Sequence, residues 1–126
     1  MIEPTELIGL PFRLGANPEK HGAADCLSMS KAVLHWCGID SPEPTRSWYR
    51  RLKRKDYAIF KEELERWGVE VSTAKLGTVG LGQGTANSCG LVVFYENGWL
   101  HFNHESKISW APLSALIPVA LYSRSR

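Results

Sequence analysis

The side chains best suited to nucleophilic chemistry in this sequence are those of its cysteines and histidines. Cys26 follows Asp25 at the start of a segment, residues 23–37, whose apolar periodicity predicts a helix ending before Gly38. A thiol in the first turn lies near the positive end of the helix dipole and near unpaired backbone N–H groups, which favour the reactive thiolate. Free cysteines are otherwise small buried hydrophobes, so position marks Cys26 as the candidate nucleophile. We expect it to be alkylated faster than Cys37, in the last turn.

The cysteine spacing argues against a disulfide or a metal site. Cys26 and Cys37 are separated by about 16 Å along the predicted helix, which exceeds the reach of a disulfide. The third cysteine is Cys89, and the sequence has no Cys-x-x-Cys pair of the kind found in zinc sites. The sequence therefore predicts reduced thiols, no metal and no cofactor.

Length and charge narrow the class of protein. A chain of 126 residues with 44% hydrophobic residues predicts one packed domain, residues 1–126. The net charge of +2 gives no reason to expect a nucleic-acid partner, and no apolar run approaches the roughly 20 residues of a membrane span. The first residues lack the basic and apolar regions of an export signal, so we expect synthesis in a cytoplasm.

The order of the predicted elements indicates an α+β fold with N-terminal helices packed on a C-terminal antiparallel sheet. An Asn-Gly turn at residues 97–98 predicts a hairpin between the apolar run 91–95 and the segment 99–103. Residues 1–22 read as an extended lead-in, and residues 76–88 as a glycine-rich loop. The predicted helices are 23–37, 45–54 (with Thr45 as its cap) and 57–67, and the further strands are 69–72, 107–110 and 118–122.

Two stretches resemble a known family. Leu10-Pro11-Phe12-Arg13-Leu14-Gly15, followed by Ala24-Asp25-Cys26-Leu27-Ser28, resembles the start of NlpC-type cysteine peptidases. Those domains have a papain-like fold and read Gly-x-Pro-Tyr-x-x-Gly-Gly and then Asp-Cys-Ser-Gly-Leu-Val. The hairpin of residues 90–101 is similar to the family's, and Ser109-Trp110-Ala111-Pro112-Leu113 is similar to the end of small phage tail forms.

The resemblance implies a role for each candidate residue. The family cuts peptide bonds of peptidoglycan with a cysteine, a base histidine on the first hairpin strand and a polar third residue on the next. Cys26 matches the nucleophile and His101 the third residue, whereas the base position falls on Cys89. A thiol cannot both accept and return the proton near neutral pH, as imidazole does.

Two alternatives would restore a base. His101 itself could be the base, with Asn103 orienting it from two residues along the same strand. His21, just upstream of Cys26, or His35, on the same helix, could serve instead. Asp25 would then be a supporting residue beside the nucleophile.

The resemblance therefore implies a cysteine peptidase of a phage tail that cleaves stem-peptide amides of the cell wall during infection. Its partners would be the peptidoglycan stem peptide and other tail proteins, and its location the virion tail. The alternative is a structural tail-tip or hub component that keeps the fold without activity, and a third interpretation is a cytoplasmic amidase or transferase. The basic run from Arg50 to Lys55 is either a solvated helix face or a contact with an acidic surface or an anionic wall polymer.

Overall fold

The computed structural model describes residues 1–82 and 90–124, in which five helices precede six strands. The helices are α1 Pro4–Leu7, α2 Pro18–His21, α3 Cys26–Trp36, α4 Arg46–Lys53 and α5 Ala58–Trp67. The strands are β1 Val69–Val71, β2 Val79–Leu81, β3 Leu91–Tyr95, β4 Gly98–Phe102, β5 Ile108–Pro112 and β6 Ala120–Ser123. The predicted α+β class, with helices first and an antiparallel sheet second, is confirmed. No helix in this part of the chain is long and apolar enough to cross a membrane.

The sheet has the order β1-β6-β2-β3-β4-β5, with every neighbouring pair antiparallel. The predicted antiparallel sheet is present, but neighbouring strands follow chain order only from β2 to β5, because the last strand inserts between β1 and β2. Strand β2 lies inside the stretch predicted as a loop. Its Gly80 is needed for packing, since an added Cβ would lie 2.8 Å from Val92 and 2.9 Å from Pro118.

The β3–β4 hairpin forms as predicted, but its turn lies one residue before the Asn97-Gly98 pair that signals it. Glu96 and Asn97 both have positive φ angles, 49° and 55°, and Tyr95 pairs with Gly98 across the turn. Positive φ at both central residues is the geometry of a type I′ turn, whose twist matches that of the strands it joins. The turn therefore determines the register in which β3 pairs with β4.

The sheet has two apolar faces, and strand alternation sorts the side chains between them. On the helix side, Leu91, Val93 and Tyr95 of β3 and Leu100 of β4 belong to the main core, together with residues of α3 and α5. On the outer side, a smaller cluster contains Val92, Phe94 and Trp99. We call these the helix-side face and the outer face.

Helix α3 is packed directly on the helix-side face, against β3. Its buried residues include Cys26, Met29, Val33 and Leu34. The helix ends at Cys37, after which Gly38 adopts a φ of 75° that favours glycine. Cys26 thus lies in the first turn of a helix covering an antiparallel sheet, as the sequence predicts.

Candidate functional site

Asp25 holds the start of α3, the helix that carries Cys26. Its Oδ1 accepts a hydrogen bond from the Ser28 backbone N–H at 2.8 Å, and the Ser28 Oγ accepts one from the Asp25 N–H at 3.0 Å. These reciprocal bonds form a capping box and satisfy backbone donors that the first turn would leave unpaired. The Asp25 side chain is fully buried. The structure shows Asp25 as the N-cap of α3, and its predicted supporting role in a catalytic site stays a prediction.

The lead-in segment fixes this helix start from the other side. Gly15 donates its backbone N–H to Oδ2 of Asp25 at 2.8 Å, and the backbone of Phe12 forms a parallel bridge with that of Ala24. The Phe12 N–H also donates to the Ser106 carbonyl at 2.7 Å, in the turn after β4. The predicted extended lead-in, interrupted by the short α1 and α2, thus joins α3 to the sheet.

The sulfur-bearing side chain of Cys26 is fully buried in the main core. A peptidase nucleophile must meet a substrate carbonyl at about 3–3.5 Å, so a buried thiol needs an opening before it can react. Cys37 is only partly buried, and this burial raises the pKa of its thiol. The thiol of Cys37 is therefore more accessible than that of Cys26. This is the reverse of the reactivity order that the helix position alone predicts.

His101 lies on the outer face of the sheet. The β4 neighbours Leu100 and Phe102 pack with the helix-side core that contains Cys26, whereas Trp99 belongs to the outer cluster. Because successive side chains of a strand point to opposite faces, His101 shares the side of Trp99. The structure therefore does not bring Cys26 and His101 together.

On that outer face His101 is paired with Ser109 of β5. The His101 Nε2 and the Ser109 Oγ are 3.3 Å apart, within hydrogen-bonding distance. Burial lowers the pKa of His101, an effect opposed by the backbone hydrogen bond of Phe102. The neutral imidazole is accordingly favoured, as in a partly buried structural histidine.

The other three histidines lie on exposed parts of the chain. His35 is nine residues after Cys26 on the same helix, about 13 Å along its axis. His21 accepts a hydrogen bond at Nδ1 from the Asn17 backbone N–H at 2.8 Å, which folds its ring back on α2. His104 lies in the turn after β4.

Asn103, predicted as an orienter of His101, is engaged in the β4–β5 turn. Its Oδ1 accepts backbone N–H bonds from Glu105 at 2.9 Å and Lys107 at 3.1 Å. These bonds make it a turn residue of the kind Asn commonly provides. Cys89, the residue at the family's base position, lies outside the described residues.

The described site thus has a thiol at a capped helix start, with His101 on the other face of the sheet and the remaining histidines exposed. Residues 1–82 and 90–124 contain no cluster of three or more His, Cys, Asp or Glu side chains that could hold a metal ion. Sequence reasoning missed Ser28, although an Asp-x-x-Ser spacing signals a reciprocal cap. It also missed the His101–Ser109 pair, which only the strand register reveals.

Comparison with known proteins supports the fold described above. No family model matches the sequence, and no curated protein matches it. Among solved structures, the chain is similar to the NlpC/p60 domain of the peptidoglycan hydrolase SagA. The two share 16% sequence identity and superpose with a TM-score of 0.60 over 95% of this chain and 92% of that one. The chain therefore has the α+β fold of an NlpC/p60 domain.

Proposed function

We propose that this chain is a structural component of a phage tail that keeps the NlpC/p60 fold without Cys–His catalysis. The observation that carries the proposal is the alternation of β4, which places His101 on the sheet face opposite Cys26. A thiol protease needs an imidazole that takes the thiol proton and returns it to the leaving amine. Hydrogen bonds in an unliganded site lengthen by tenths of an ångström, whereas a residue on the far side of a sheet is separated by the backbone itself.

The remaining histidines and the burial of Cys26 support the same proposal. His21, His35 and His104 are exposed, and the chain contains no other histidine apart from His101. The Cys26 side chain has no exposed area on which a stem peptide can dock. The assignment to a phage tail rests on residues 109–113, which resemble the end of small tail-associated forms of this domain.

A second candidate is an active peptidoglycan cysteine peptidase. It is favoured by the position of Cys26 at the start of an eleven-residue helix, in a fold shared with a solved peptidoglycan hydrolase domain. In this mechanism the Cys26 thiolate attacks a stem-peptide carbonyl and expels the amine. An imidazole would have to reach the sulfur after the site opens, and His21 is the nearest along the sequence.

Digestion of purified peptidoglycan separates the two candidates. The wild-type chain and the Cys26→Ser variant are incubated with sacculi, and released muropeptides are measured by mass spectrometry, with the solved hydrolase domain as positive control. A structural component gives the same background for both chains. Release that depends on Cys26 would overturn the proposal, and its loss in His21→Ala or His101→Ala would identify the base.

The assignment to a phage tail is tested by a separate measurement. Mass spectrometry of purified virions from a phage that encodes the chain should detect it in fixed proportion to the other tail proteins. Its absence from virions would refute the tail assignment regardless of the digestion result.

A further inference from the structure

The basic residues of this chain are concentrated in one short stretch. Six of its 15 Lys and Arg residues lie between Arg46 and Lys55, a segment without Asp or Glu. The rest of the chain then holds nine basic and 13 acidic residues, a net charge of −4, although the whole chain carries only +2. A charge separated in this way produces a local field that the overall balance conceals.

Helix α4 presents most of these charges on one side. Trp48 and Leu52 are buried and anchor the helix to the core. At 100° per residue, the exposed basic side chains fall within an arc of about 100° on the opposite side. We call this set the cationic stripe: Arg46, Arg50, Lys53 and Arg54.

Arg51 is not part of the stripe because it is neutralised within the chain. Its Nε lies 2.7 Å from Asp56 Oδ2, and its Nη2 lies 2.6 Å from Glu62 Oε2. Hydrogen bonds from Arg51 are the main reason that the pKa values of both carboxyl groups are lowered, with a smaller contribution from Arg54 at Asp56. Among the residues that the structure describes, the four stripe cations form no ion pair within 4.0 Å.

Part of the arrangement works against the stability of its own helix, although Arg50 and Lys53 lie in the last turn, where the helix dipole favours positive charge. Arg46 lies in the first turn, where the helix dipole disfavours a positive charge. Arg46 and Arg50, and again Arg50 and Arg54, are like charges at i,i+4, which repel each other on a helix surface. The two like-charge pairs leave positive charge on α4 that an anionic ligand would neutralise.

We propose that the cationic stripe binds a linear polyol-phosphate polymer of the bacterial cell wall. From Arg46 to Arg54 the stripe is about 12 Å long, and it presents guanidinium groups, which suit phosphate geometry. Single-stranded nucleic acid is disfavoured because such sites stack bases on exposed aromatic rings, whereas Trp48 is buried and Tyr49 is partly buried against the core. A protein partner is disfavoured because interfaces are anchored by apolar or aromatic residues, which the stripe lacks.

One part of this proposal rests on the proposed function, namely that the polymer comes from a bacterial cell wall. The test measures binding of purified poly(glycerol phosphate) to the intact chain by calorimetry over a range of salt concentrations. The stripe variant Arg46→Gln/Arg50→Gln/Lys53→Gln should bind at least tenfold more weakly. Its plot of log affinity against log salt should lose about two units of slope, at roughly 0.7 per phosphate contact.

A matched control removes the same charge elsewhere. Lys20, Lys61 and Lys107 are exposed, and the variant Lys20→Gln/Lys61→Gln/Lys107→Gln should change the affinity less than twofold. Circular dichroism should show both variants folded, since relief of repulsion does not weaken α4. Equal losses in the two variants, or no binding by the wild type at physiological salt, would overturn the proposal.

Two further arms separate the possible ligands. Single-stranded DNA of equal charge should bind at least tenfold more weakly than the polymer, and equal binding would reduce the stripe to a general polyanion surface and refute the assignment. An acidic protein domain should show no saturable binding. These results are independent of the proposed function, because neither peptidoglycan digestion nor presence in virions requires the stripe.

Discussion

Removal of the Asp25 carboxylate should destabilise the chain strongly although the residue touches no substrate. Asp25 is fully buried and accepts hydrogen bonds from two backbone donors at 2.8 Å, those of Ser28 and Gly15. An N-cap replaced by alanine costs about 1 kcal/mol. A second hydrogen bond to a charged group contributes about 2 kcal/mol, and its loss leaves the Gly15 donor unpaired. Asp25→Ala should therefore lower the free energy of unfolding by about 3 kcal/mol.

Urea denaturation followed by circular dichroism measures this change. For a domain of this size the melting temperature should fall by about 10 °C. The free energy of unfolding of Asp25→Asn should lie between those of the wild type and Asp25→Ala. The amide oxygen still caps Ser28, whereas the NH₂ group faces the Gly15 donor and cannot accept its hydrogen bond. Thr45→Ala is the matched control, since Thr45 occupies the N-cap of α4 without a side-chain capping bond, and it should cost less than 0.5 kcal/mol or so. A loss below about 1 kcal/mol for Asp25→Ala would refute the assignment of both bonds.

Two further predictions concern His101 and the cysteines. Burial holds the folded-state pKa of His101 below its ordinary value of 6.5, so the unfolded chain binds more protons and stability should fall as the pH drops through 6.5. The urea midpoint should therefore decrease less between pH 7.5 and 5.5 in His101→Gln than in wild type or in the exposed-site control His104→Gln; equal slopes would exclude a proton-linked role. In a Cys89→Ser background, iodoacetamide should modify partly buried Cys37 before fully buried Cys26, as peptide mapping would show. Faster labelling of Cys26 in the native protein would instead reveal that the site opens to solvent.

Local signals in the sequence were sufficient for most elements of the fold. The Asn-Gly signal and its flanking apolar runs predicted the β3–β4 hairpin, although the central turn residues are Glu96 and Asn97, one position before the predicted pair. Helix α3 was predicted from its periodicity and from the glycine after it. Strand β2 was missed because Gly80 is typical of a loop in the sequence, and its need for close contact with Pro118 arises only when β6 is inserted.

The candidate site shows more clearly what local signals in the sequence cannot determine. The sequence by itself determined that Cys26 begins a helix and that Trp99 and His101 share one side of their strand, because both follow from backbone periodicity. It could not determine which side meets the helix, since Trp99 is as apolar as Leu100 and either could enter the main core. Packing of the whole sheet decided that question: α3 covers the side of Val93 and Leu100, and His101 consequently faces Ser109 across the outer face. A strand's alternation is a local property, whereas the identity of its buried face depends on every element that packs against it.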